Sequence, residues 1–250
     1  MAITIMLNEN STILLTGGTS GIGNALFKQL YALKHNMIVV ARNESRLERL
    51  KADYPEATTY QIDLSSRMAV EKLCTDISRK HSDINILINN AGVQYTPTVL
   101  DDNFSFDSIE FETTVNFLSP VWLSTLLLPA LLQNSNATSI VNVSSGLALA
   151  PKANSAIYCA NKAALHSYSQ SLRYQLEKTN VSVQEVILPL VDTPMTTGRG
   201  RHKLAPDFVA KQIIKGMSKG QDEIYIGIAR FLPLLMWLSP GLVKNILRRS

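Results

Sequence analysis

Tyr158 and Lys162 stand four residues apart in the stretch Tyr158-Cys159-Ala160-Asn161-Lys162. On a helix that spacing puts a phenol and an ammonium on one face, one turn apart. A phenol with an ordinary pKa near ~10 does little acid–base work at neutral pH, and a neighbouring cation favours its ionised form and pulls the pKa toward the working range. Taken alone, the pair fits either a proton-transfer site or a helix surface on which a Tyr and a Lys merely neighbour each other. The turn Thr16-Gly17-Gly18-Thr19-Ser20-Gly21-Ile22-Gly23 gives the pair a context. It follows the apolar run Ser11–Leu15, which reads as a buried strand, and precedes Asn24–Tyr31, which has helical periodicity. Glycines let a backbone approach a pyrophosphate, and free N–H groups at a helix start supply donors. The spacing Gly17, Gly21, Gly23 is not the general G-x-G-x-x-G fingerprint, so a phosphate cradle rests here on context and not on that motif.

Elements able to position these residues alternate along the chain. Strands are predicted at 37–41, 58–62, 84–88, 139–143 and 182–188, and helices at 45–53, 67–80, 119–133 and 154–178. The alternation predicts an α/β fold, a single domain with a Rossmann-type doubly wound parallel sheet. In such sheets ligands sit beyond the carboxyl ends of the strands, where each motif above falls.

Composition agrees. The 250 residues are 46% hydrophobic and 18% charged, enough for a sizeable core, and no linker divides them. A net charge of +4, spread without basic blocks, argues against nucleic acid. Cys74 and Cys159 read as buried reduced thiols, and His35, His81, His166 and His202 show no ligand spacing, so no metal site is predicted. The segment Met1–Leu7 lacks the basic region and cleavage pattern of a signal peptide, and a cytoplasmic location is expected.

The chain resembles the short-chain dehydrogenases/reductases. The resemblance rests on Thr16-Gly17-x-x-x-Gly21-x-Gly23, Asn89-Asn90-Ala91-Gly92, Asn116, Ser145 and Tyr158-x-x-x-Lys162, in order and in register. It covers residues 12–193 well and the C-terminal part loosely. Within the family, the stretches around Ser145 and Tyr158 look most like bacterial DltE-like oxidoreductases.

The resemblance implies an oxidoreductase that moves a hydride between a nicotinamide and a carbonyl or alcohol substrate, with Tyr158 exchanging the proton on oxygen. Lys162 would hold the nicotinamide ribose and lower the Tyr158 pKa, Ser145 would hydrogen-bond the substrate oxygen, and Asn116 would fix a water relaying protons from Lys162. Ser145 lies thirteen positions before Tyr158, the family's offset, whereas the neighbouring Ser144 misses it by one. Gly17, Thr19, Ser20, Gly21, Ile22 and Gly23 would hold the dinucleotide phosphates. Asp63 and Leu64 would meet the adenine, Asn90, Ala91 and Gly92 would pack beneath the ribose, and the Val191 backbone and Thr193 hydroxyl would reach the carboxamide. Asp63 before Ser65-Ser66 also fits a helix N-cap.

Cofactor choice turns on the end of the second strand, where an acid serves NAD and a cation serves the 2′-phosphate of NADP. Ala41 takes the acid's place and Arg42 follows, so NADP(H) is favoured over NAD(H). A plain surface arginine paired with Glu44 is the alternative.

Pro189-Leu190 replaces the family's usual Pro-Gly, costing on the order of 1 kcal/mol if that position needs positive φ. Residues from about 191 to 210 read as a glycine-hinged, basic substrate lid, and about 228 to 250 as an apolar tail. The tail is too short and proline-broken to span a bilayer. It suits either weak contact with a membrane surface or burial against the pocket or a partner subunit. A homodimer or homotetramer is expected from the resemblance. Rival readings are a non-catalytic dinucleotide-binding redox sensor and an epimerase or dehydratase on the same cofactor fold. The complete Tyr158 set argues against the first, and the short C-terminal region against the second.

Overall fold

The computed structural model describes residues 10–248; the N-terminal segment read above for a signal peptide lies outside them, as does Arg249. The chain runs β1 (Thr12–Thr16), α1 (Gly21–Ala32), β2 (Asn36–Ala41), α2 (Glu44–Asp53), β3 (Thr58–Gln61), α3 (Arg67–Lys80), β4 (Ile84–Asn89), α4 (Phe106–Thr113), α5 (Ser119–Gln133), β5 (Thr138–Ser145), α6 (Ala156–Leu176), β6 (Val181–Leu188), α7 (Pro206–Ser218), β7 (Glu223–Tyr225), α8 (Leu232–Leu238) and α9 (Pro240–Arg248). The strands form one sheet in the order β3-β2-β1-β4-β5-β6-β7, every pair parallel. This is the doubly wound Rossmann-like architecture the alternation predicts. The order reverses between β1 and β4, which opens a crevice at their carboxyl ends.

Strand residues face alternately up and down, so a sheet buried on both sides needs apolar side chains at successive positions. Ile13 and Leu15 of β1 join Met37 and Val39 of β2 in one core, beneath Phe27 and Leu30 of α1 and Val209 and Ile213 of α7. Leu14, Ile38 and Val40 join the other, with Leu73 and Ile77 of α3, Leu127 and Leu131 of α5 and Leu172 of α6. The result is three layers.

Two elements escape the sequence reading. β7 is three residues long, too short for alternation to register, and α7 begins at Pro206 within the stretch read as lid. Between α4 and α5 the helix widens into a π-helical turn, Thr114–Leu118, which contains Asn116. Phe106–Gln133 is continuous, and long and apolar enough to cross a membrane by length and composition, yet Leu123, Leu127 and Leu131 are buried in the core beneath the sheet.

Candidate functional site

The glycine turn closes on itself so tightly that side chains have no room. Gly17 and Gly21 take φ of 70° and 52°, the left-handed region where glycine is favoured. A Cβ on Gly23 would stand 2.2 Å from the Gly17 carbonyl oxygen and 2.5 Å from Asn90 Nδ2. Asn90 fixes the turn from the next strand, its Nδ2 donating to the Thr16 carbonyl at 2.9 Å, while Thr16 Oγ1 accepts from the N–H groups of Asn90 and Ala91, each at 3.0 Å. Ser20 caps α1 in extended conformation without a side-chain hydrogen bond, and the first turn holds no acid. Helix N–H groups and the positive dipole end are thus left for an anion. A dinucleotide pyrophosphate fits this cradle.

The turn forms one wall of a cleft of about 650 Å³. Gly17, Thr19, Ser20, Gly21, Ile22, Gly23, Arg42, Asp63, Leu64, Asn90, Ala91, Gly92, Tyr158, Lys162 and Thr193 all line it, and so do Arg46, Phe111 and Ser144, which sequence reasoning did not select. Asn116, Ser145 and Val191 stand behind the lining. Val191 is buried, and its carbonyl accepts the Thr196 hydroxyl at 2.6 Å.

Tyr158 and Lys162 share α6 as their spacing predicts, with Lys162 Nζ 5.7 Å from the Tyr158 ring centroid. The expected effect on the phenol is reversed. Burial pushes the Tyr158 pKa up to about 12, outweighing the hydrogen bond with Ser145 that favours the phenolate. Lys162 does not offset this because it is itself buried. Its ammonium donates to the Val143 carbonyl at 2.8 Å, and desolvation lowers its pKa to about 8 against the opposing charges of Glu185 and Glu112. Ser145, besides meeting Tyr158, accepts the Leu147 N–H at 3.2 Å. The Ser144 hydroxyl is buried on the cleft wall with no hydrogen-bond partner.

Asn116 has a different job from the one expected of its side chain. Its amide grips one residue, accepting the Val93 N–H at 2.9 Å and donating to the Val93 carbonyl at 2.8 Å. Glu112, 1% exposed on α4, accepts the Tyr95 N–H at 3.2 Å, and burial raises its pKa to about 7. Between them Gln94 donates to Ser155, the N-cap of α6, and accepts from Arg199 at 2.9 Å. The segment 93–95 therefore ties the π turn, the catalytic helix and the lid together. Nothing in the sequence marked Glu112, whose partner lies 17 residues away.

The lid is pinned rather than loosely solvated. Thr193 and Thr196 form a capping box, Lys203 donates to the Thr196 carbonyl at 2.6 Å, and Arg199 is taken by Gln94. Leu190 avoids the cost weighed above: outside glycine, only Asn10, Lys34 and His202 take positive φ among the described residues. Its side chain instead fills the space a Cβ on Gly200 would occupy, 2.2 Å from it.

At the end of β2, Arg42 lies over the Phe111 ring at 5.4 Å, and no ion pair joins it to Glu44 among the described residues. Arg46, one helical turn on, faces the same cleft. Asp63 accepts from the backbone and hydroxyl of Ser65, while Ser66 is the N-cap of α3, so Asp63 is not the cap. Behind Lys162, Glu185 is fully buried and bonded to His166 at 2.6 Å. Glu223 joins them, with ligand-type atoms of the three within 4.8 Å of one another, a grouping that no sequence spacing announces. Cys74 and Cys159 are free, buried thiols.

A family model described as short chain dehydrogenase matches residues 11–204. An oxidoreductase of Bacillus subtilis (strain 168), named DltE and uncharacterized, is 37% identical over 228 residues, covering 88% of this chain and 89% of its own. A fatty acyl-CoA reductase of Acinetobacter baylyi is 30% identical over 247 residues, 96% of this chain and 83% of its own. Among solved structures, a short chain dehydrogenase from Burkholderia cenocepacia J2315 in complex with NADP superposes with a TM-score of 0.86 at 24% identity, over 97% of this chain and 99% of that one. One from Sphingobium yanoikuyae in complex with NADPH gives 0.80 at 26%, over 94% and 96%. Another from Burkholderia phymatum in complex with NAD gives 0.83 at 19%, over 98% of each.

Proposed function

The chain belongs to the short chain dehydrogenase family, and from that premise we propose that it is an NADP-dependent oxidoreductase acting on a carbonyl or alcohol, with Tyr158 as the acid–base group. The observation that carries this reading is the convergence of Tyr158 and Lys162 on the cleft whose far wall is the glycine turn. Bound in that cradle, the nicotinamide dinucleotide supplies the hydride donor or acceptor. In reduction, Tyr158 donates its proton to the substrate oxygen, and burial keeps that proton on the phenol at neutral pH. Ser145 holds the phenol hydroxyl, and Lys162, cationic below about pH 8, offers the nearest replacement proton. Asn116 holds the wall of the site through Val93. Arg42 and Arg46 favour NADP because two cations at the end of β2 suit a 2′-phosphate and would gain nothing from a 2′-hydroxyl.

The cleft border is partly apolar, with Val93, Met195 and Leu188 on it. The name of the Acinetobacter relative, a fatty acyl-CoA reductase, supports long-chain aldehydes and acyl thioesters as the first substrates to try. Titration with NADPH and NADH by fluorescence, beside Arg42→Ala, followed by a panel of such substrates, tests the reading. Arg42→Ala should weaken NADPH binding about tenfold or more and leave NADH unchanged. Tyr158→Phe should lower turnover by about 10²–10⁴-fold with NADPH binding intact. Binding without any turnover would favour the redox-sensor alternative, and no binding at all would overturn the proposal.

A further inference from the structure

The C-terminal 22 described residues present an apolar surface to the outside. After a short 3₁₀ turn, α8 and α9 fold back on each other with Ser239 between them, and only Ala229 and Val243 of this stretch are buried. Ile228 is 74% exposed and Trp237 79%, with Leu234, Leu238, Leu242 and Ile246 each more than half exposed. A concentration of this kind on one short stretch marks an interaction surface rather than the scattered apolar residues of an ordinary exterior.

Charge distinguishes the possible occupants. From Ile224 to Ser250 the sequence has four cations, Arg230, Lys244, Arg248 and Arg249, and no acid. A twofold contact with a second copy would set this patch against itself and bring like charges together. An anionic lipid surface pairs with each cation and accepts the leucines and the tryptophan below its headgroups. At seven and nine residues the two helices lie on a bilayer and cannot cross it.

The patch is joined to the reaction site. Leu232 lies against Gly146, next to Ser145, where an added Cβ would come within 2.8 Å of it, and the Arg248 carbonyl accepts the Ala153 N–H at 3.2 Å. The segment between Ser145 and Tyr158 is thus roofed by the apolar hairpin. We propose that α8 and α9 dock this protein on anionic membrane surfaces and so bring the mouth of the cleft to the lipid. The docking is independent of the function proposed above; only the delivery of a membrane-borne substrate rests on it.

The test uses the full chain with vesicles of phosphatidylcholine alone or mixed with phosphatidylglycerol. Of the two tryptophans, Trp122 is half-buried and Trp237 exposed, so a Trp122→Phe background makes Trp237 the reporter. Expected are co-sedimentation with the anionic vesicles only, a blue shift of Trp237 emission, and weakening by added salt. Lys244→Gln should reduce binding about fivefold. The pair Leu242→Asp and Ile246→Asp, at exposed positions, should reduce it at least tenfold while NADPH binding and thermal stability stay as in the parent. Failure of the parent to sediment with anionic vesicles would overturn the proposal, as would equal binding to neutral ones. If the double variant instead splits an oligomer that the parent forms without lipid, the surface belongs to a second copy.

Discussion

The glycine turn and the C-terminal hairpin flank the same site and follow opposite rules. In the turn every atom is spoken for: Gly23 has no room for a Cβ, and Asn90 bonds two successive carbonyls, those of Thr16 and Gly17. In the hairpin most large side chains face outward, and one leucine on one glycine makes much of the contact with the catalytic segment. Two demands produce the contrast. A phosphate cradle must hold backbone N–H groups where a fixed charge pattern will arrive, so its geometry is closed before the ligand binds. A surface that meets a fluid or variable partner needs apolar area and charge, and its internal geometry matters little.

The sharpest way to break the contrast is to place a methyl group in the turn. Gly23→Ala forces the Gly17 carbonyl and Asn90 apart; overpacking of this kind costs about 1–3 kcal/mol, and calorimetry should show a lower melting temperature. Dinucleotide affinity should fall about tenfold or more, because the N–H groups of the cradle move with the backbone. A middle-sized effect comes from Glu112, between the two regions. Its folded pKa of about 7 lies above the ordinary carboxylate value of 4.5, so between these limits the folded state binds more protons than the unfolded and stability falls as pH rises. Glu112→Gln keeps an oxygen for the Tyr95 N–H and cannot ionise. Melting curves at pH 5 and pH 8 should therefore lie closer together in the variant, the wild type losing on the order of 3 kcal/mol across that interval. The smallest effect belongs to the hairpin. Trp237→Ser should change stability by less than about 0.5 kcal/mol in urea titrations, since a side chain 79% exposed loses little on truncation. A large loss there would mean that the hairpin is part of the core.

Legibility in the sequence follows a similar division. β1, the glycine turn and the Tyr158–Lys162 pair are local patterns, each contained within a few residues, and the structure places them as read. Arg42 was legible because the end of a strand can be located from its apolar run. Features assembled from distant segments were not. Glu112, Ser155 and Arg199 meet around residues 93–95 from four different stretches, and Glu185 meets His166 and Glu223 only because β6 lies between α6 and β7. The direction of the Tyr158 shift was misread for a related reason. Helical spacing reports that a cation is near, whereas depth of burial, which decides the sign here, is a property of the whole fold.

The π-helical turn at Thr114–Leu118 makes the long helix sensitive to arithmetic rather than to chemistry. A wider turn carries one residue more than an α-helical turn in the same space, and each residue of an α-helix advances the chain by about 100°. Deleting any one residue there would regularise the helix and rotate all of α5 by that angle. Leu123, Leu127 and Leu131 would swing away from the core, and Asn116 would lose its hold on Val93. Side chains on the outer surface of this turn are open to exchange, but its residue count is not.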